Sequence, residues 1–109
     1  MIKNIKSETV VHLSDMVGIK PGVIASMSLV DNALCHSKLF AVSEGESISE
    51  ELYKGDMIYF VLEGQMTVLV EGSEKKLGPG DILRVRADIE HEIKAGSSFK
   101  MVQTLILED

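Results

Sequence analysis

From Pro21 onward, turn-forming pairs interrupt this chain so often that no long helix has room to form. They are Pro21-Gly22, Asp31-Asn32, Glu44-Gly45-Glu46, Lys54-Gly55-Asp56, Glu63-Gly64, Glu71-Gly72-Ser73, Gly78-Pro79-Gly80-Asp81 and Ala95-Gly96-Ser97. Each supplies the positive or preset φ that a tight turn requires. The runs between them are short and rich in β-formers: 23–30, 36–42, 57–62, 65–70, 82–85, 91–94 and 99–107. That many short strands at regular spacing predict a two-sheet antiparallel sandwich or closed barrel. Glu74-Lys75-Lys76 reads as a mixed-sign turn. The one helical turn expected is Ser14-Asp15-Met16-Val17, with Ser14 as its cap. Residues 1–109 read as a single domain with 1–20 as an N-terminal arm, since no linker, repeat or low-complexity tract divides them.

Strand parity carries the next step. Ile58-Tyr59-Phe60-Val61-Leu62 is apolar on both faces, which marks a strand covered on both sides. Tyr53, Met57 and Tyr59 share parity with Glu51 and would line one face if Lys54-Gly55-Asp56 does not interrupt the strand. Ile58, Phe60 and Leu62 stand on the other. Met66, Val68 and Val70 continue an apolar alternation, expected to extend that outer row through a hairpin. Two bare apolar rows would exceed what monomers normally expose. A homodimer is therefore expected, formed partly through strand contacts and partly through the outer face.

Charge and cysteine content exclude several functions. With 17 acidic against 11 basic residues, the formal net charge is −6, and the basic residues are scattered. Nucleic acid is not an expected partner, because phosphate binding needs clustered Lys and Arg. No apolar stretch approaches the roughly 18 residues that span a bilayer, so no membrane partner is expected. The single thiol, Cys35, permits no intrachain disulfide and suits a reducing compartment. The opening Met1-Ile2-Lys3-Asn4-Ile5-Lys6 has no apolar run of signal-peptide length. The localisation expected is cytoplasmic.

Residues 45–95 carry a more specific pattern. Gly45 is followed by five residues, then Glu51-Leu52-Tyr53, Met57, and Val61-Leu62-Glu63-Gly64. Gly80 is followed by five residues, then Arg86-Ala87-Asp88, two more, His91 and finally Ala95. These spacings, with the Leu77-Gly78-Pro79-Gly80-Asp81 turn, resemble the two signature motifs of the cupin superfamily. The resemblance implies an all-β fold, the antiparallel double-stranded β-helix of jelly-roll type. It also implies a dimer. In metal-binding cupins two histidines, a glutamate and a third histidine converge inside the barrel. Carried over position by position, those sites are Glu51, Tyr53, Met57 and His91.

Only His91 retains its residue type. Glu51 is a competent oxygen ligand, so Glu51 and His91 would hold at most a weakly bound Zn, Mn, Fe or Ni ion. A tyrosine must lose a proton at a pKa of about 10 before it ligates well. A thioether such as that of Met57 suits copper(I), not hard divalent ions. The ligand-binding pocket expected is Glu51, Tyr53, Met57, Tyr59 and His91, against the plainer alternatives of core packing for Tyr53, Met57 and Tyr59, a satisfied core histidine for His91 and a solvated rim position for Glu51. His36 shares parity with Phe40 but matches no motif position. Cys35 and His36 point to opposite faces, so they do not form a nucleophilic pair. Arg84 and Arg86 alternate and share a face: an inward arginine would suit an anionic ligand, and an outward pair would be a solvated surface, the reading favoured for at least one of them.

Two function classes follow. The first is a non-catalytic or sensory module holding a small molecule in the barrel. The alternative is a small metal-dependent enzyme of isomerase, lyase or dioxygenase type, using Glu51 and His91. Losing three of four usual ligand types favours the first.

Overall fold

The computed structural model describes residues 1–50 and 53–107, with Glu50 described through its backbone alone. Among the described residues nine strands make up nearly all the regular structure: β1 (Ile24–Asp31), β2 (Cys35–Val42), β3 (Ser47–Glu50), β4 (Asp56–Gly64), β5 (Met66–Val70), β6 (Ser73–Leu77), β7 (Ile82–Val85), β8 (His91–Lys94) and β9 (Phe99–Ile106). They form two antiparallel sheets, ordered β1-β2-β9-β4-β7 and β3-β8-β5-β6. This is the double-stranded β-helix, and the expected all-β architecture holds.

The two sheets pack face to face, and side-chain parity decides what lies between them. From the five-stranded sheet come Val42, Met57, Tyr59, Val61, Val85, Phe99 and Met101; from the four-stranded sheet come Met66, Val68, Leu77 and Ile93. Burying a side chain of this size contributes about 1.5–3 kcal/mol, so this layer is the main source of stability. The outer face of the larger sheet is covered only in part. Leu39 and Ala41 are buried there, and the Lys100 ammonium donates to the Ser14 carbonyl of the N-terminal segment. Phe60 and Ile82, directly paired across β4 and β7, remain 38 % and 65 % exposed.

Four sequence expectations are corrected. First, Met66 and Val68 do not extend the outer row: both are fully buried in the core. The chain crosses from one sheet to the other at Gly64-Gln65, so β4 and β5 are not a hairpin and the parity count restarts. Second, Glu74-Lys75-Lys76 lies within β6, an edge strand. Its charges are exposed and protect a free edge, which hides the apolar alternation that announces a strand. The turn precedes it at Glu71-Gly72, where φ values of 50° and 80° suit a two-residue hairpin loop. Third, residues 47–50 form β3, pairing with β8, where no strand was expected. Fourth, the 3₁₀ turn is Leu13–Asp15, and Ser14 lies inside it without capping it.

Candidate functional site

The lumenal face of the larger sheet reads across its strands by register. Tyr59 on β4 pairs with Leu83 on β7 and Gln103 on β9. Residues directly opposite each other share a face, so Gln103 projects beside Tyr59. The smaller sheet contributes His91, the first residue of β8, whose register partners are Val70 on β5 and Glu50 on β3. Tyr59 is completely buried and His91 is 5 % exposed.

These side chains meet at the centre. The Tyr59 hydroxyl lies 2.6 Å from His91 Nε2, and the two rings sit edge to face with centroids 5.6 Å apart. His91 Nδ1 lies 3.0 Å from the Ile89 carbonyl oxygen. A carbonyl only accepts, so Nδ1 carries the hydrogen. In the neutral ring Nε2 then accepts the Tyr59 proton, and the tautomer follows from its partners. Gln103 Nε2 donates over 3.4 Å to the Tyr59 oxygen. A buried hydroxyl or imidazole without partners would cost several kcal/mol, on the order of 2–7. The Gln103–Tyr59–His91–Ile89 chain satisfies these groups inside an otherwise apolar layer.

The predicted site residues are thus partly assembled. Met57 and Tyr59 belong to one buried cluster, Tyr53 packs against it half-buried, and the buried His91 is joined to Tyr59 by its hydrogen bond. Glu51 lies outside the described residues. The strand that would have carried Glu51, Tyr53 and Met57 together is broken, since β4 starts at Asp56. Tyr53 is held instead by its backbone, whose carbonyl accepts from the Asp88 N–H at 2.8 Å. Gln103 was missed by sequence reasoning. Its only signal is a polar residue, next to Thr104, in a strand that is otherwise mostly apolar, and nothing local ties it to Tyr59.

Other candidates lie elsewhere. His36 shares the lumenal parity but ends at the rim, with Nδ1 2.9 Å from Asp31. Arg84 and Arg86 are both exposed. Arg84 pairs with Asp56 on the outer face, so it offers no inward anion site. An open cleft of about 510 Å³ on that side is lined by Lys54, Gly55, Asp56, Ile58, Arg84, Ala87 and Ile106. Among the described residues of the predicted site, Tyr53, Met57, Tyr59 and His91 do not line it.

The geometry carries a family identification when joined to comparison with known proteins. Residues 38–106 match the family model described as the cupin domain. The chain belongs to the cupin family. A solved cupin superfamily protein from Desulfitobacterium hafniense superposes with a TM-score of 0.94 at 30 % identity, covering 99 % of both chains. A conserved protein of unknown function from Streptococcus pyogenes gives a TM-score of 0.94 at 22 % identity, covering 99 % of this chain and 95 % of that one, and shows the fold alone. A quercetin 2,3-dioxygenase from Bacillus subtilis is 38 % identical over 71 residues, which is 54 % of this cupin and 21 % of that enzyme. The chain spans about a fifth of that curated relative's length.

Cupin membership raises the question of a divalent ion, and the described residues of this cupin do not fit one. Among them no three His, Cys, Asp or Glu side chains gather at one place. Of the family's four ligand positions, the three described ones hold a buried thioether, a half-buried tyrosine and one histidine, and the fourth, Glu51, lies outside the described residues. The ring nitrogen that would face the ion is already bonded to Tyr59. Among the described residues no helix is long and apolar enough to cross a membrane.

Proposed function

We propose that this cupin is a non-catalytic or sensory binding module that takes a small organic molecule between its sheets. The buried Tyr59–His91 pair carries the reading. Barrel sites are mostly apolar, with a few placed polar groups that orient the ligand. Tyr53, Met57, Tyr59 and His91 provide such a set, and Glu51 belongs to the proposed pocket with them. The ligand class this favours is a mainly apolar molecule with one hydrogen-bonding group. The proposed molecule is a cytoplasmic homodimer; the free thiol of Cys35 and the exposed Phe60–Ile82 pair support those two parts.

A second reading is a metal-dependent enzyme of isomerase, lyase or dioxygenase type, with Glu51 and His91 as ligands to Zn, Mn, Fe or Ni. The dioxygenase named among its relatives favours it. Elemental analysis and native mass spectrometry of the purified protein separate the two. An organic adduct, or saturable small-molecule binding lost in His91→Ala, with no stoichiometric transition metal, is the expected result. One equivalent of a transition metal that is lost in His91→Ala would replace the first reading by the second.

A further inference from the structure

We propose that Tyr59 is the residue that withholds His91 from metal ions, so that this barrel selects against divalent cations at the position where its family is expected to hold one. The inference rests on the metal-independent reading above and names the side chain responsible for it.

The argument starts from the imidazole. A metal needs the in-plane lone pair of a ring nitrogen, at a bond length of about 2.0–2.1 Å. His91 has two such nitrogens. Nδ1 carries a hydrogen pointed at the Ile89 carbonyl, 3.0 Å away. Nε2 faces the Tyr59 oxygen at 2.6 Å, so that oxygen stands in the direction an ion would occupy. Turning the ring over would break both bonds at once.

Tyr59 itself has nowhere to retreat. Its ring is fully buried and meets His91 edge to face at an interplanar angle of 73°. Gln103 donates to the same oxygen from the neighbouring strand. The position is also set by register: Tyr59 is two residues beyond Met57 on β4, so both face the lumen. One inward tyrosine thus occupies the remaining nitrogen, while Met57 stands where a carboxylate ligand is expected.

The test is metal affinity in Tyr59→Phe, read by calorimetry with Zn²⁺ and by visible absorption with Co²⁺. Freeing Nε2 removes one hydrogen bond that the ion must otherwise break, so affinity should rise about tenfold or more. That gain should vanish in the Tyr59→Phe, His91→Ala double variant. Equal affinity in wild type and Tyr59→Phe, or a gain that survives loss of His91, overturns the proposal. Should Tyr59→Phe not fold, ¹⁵N shifts of His91 in the wild type decide. Nε2 signals unmoved by Zn²⁺ support the proposal; displacement to metal-bound shifts overturns it. None of these readouts involves an organic ligand. Failure to find one would therefore count against the proposed function alone, and an unchanged Tyr59→Phe against this inference alone.

Discussion

At Gly64 the chain leaves the larger sheet for the smaller one, and a single missing side chain makes the crossing possible. Its φ is +78°, and a Cβ there would lie well inside contact distance of the Ser98 carbonyl and the Phe99 Cα. The neighbouring atoms are backbone of β9 and its lead-in, so they cannot swing away as a flexible side chain would. Gly64→Ala should therefore destabilise the protein by about 2 kcal/mol or more, through left-handed strain plus the clash. Urea unfolding followed by far-UV circular dichroism checks it; a loss below about 0.5 kcal/mol, the ordinary surface range, would contradict the account. The turn at Glu63-Gly64 was legible in the sequence. That it joins two sheets was not, because the clash involves residues 34 and more positions away along the chain.

Between strands, the connection from β7 to β8 decides how His91 is delivered to the core. The Asp56 carboxylate, at the start of β4, accepts from the Ala87 N–H at 3.0 Å and from Arg84 Nε at 2.7 Å. The Asp88 N–H adds its bond to the Tyr53 carbonyl. Together they latch 86–88 onto 53–56, three residues before His91. The Ala87 N–H and then the Arg84 guanidinium hold the Asp56 carboxyl below the usual aspartate range. A depressed folded-state pKa contributes stability that is full above the unfolded value of about 3.9 and is lost as pH falls through the folded one. Wild type should thus melt above Asp56→Asn at neutral pH, with the gap shrinking below about pH 4. Thermal melts across that range measure it; a gap independent of pH would mean the charge contributes nothing.

For the whole molecule, the outer face of the larger sheet is left partly uncovered by its own chain. Ile58, Phe60 and Leu62 were expected to face outward, and Ile58 and Phe60 do so, beside Ile82 and the half-buried Val102. The expected outer row from β5 is absent, since Met66 and Val68 are core residues, which shrinks the apolar patch to the β4–β7 end. A second copy covering it should bury at least about 1,000 Å² in total. Sedimentation at micromolar concentration should give a dimer mass, and Phe60→Asp with Ile82→Asp should give a folded monomer. A monomer mass for the wild type would refute the dimer.

The sequence by itself determined the strand-and-turn pattern, the two-sided character of β4, the motif spacing and the inward position of His91. All of these are local: they depend on turn residues and on a period of two along one strand. It also exposed the loss of ligand residue types, because that needs only identities at spaced positions. Three things were decided by tertiary structure alone. The crossing at Gly64-Gln65 put Met66 and Val68 inside, since a change of sheet resets which face is the core. The charged 73–77 segment became an edge strand, because pairing with β5 offsets its weak local preference. And His91 received Tyr59 as its partner, 32 residues away, across a lumen that closes only when the two sheets pack.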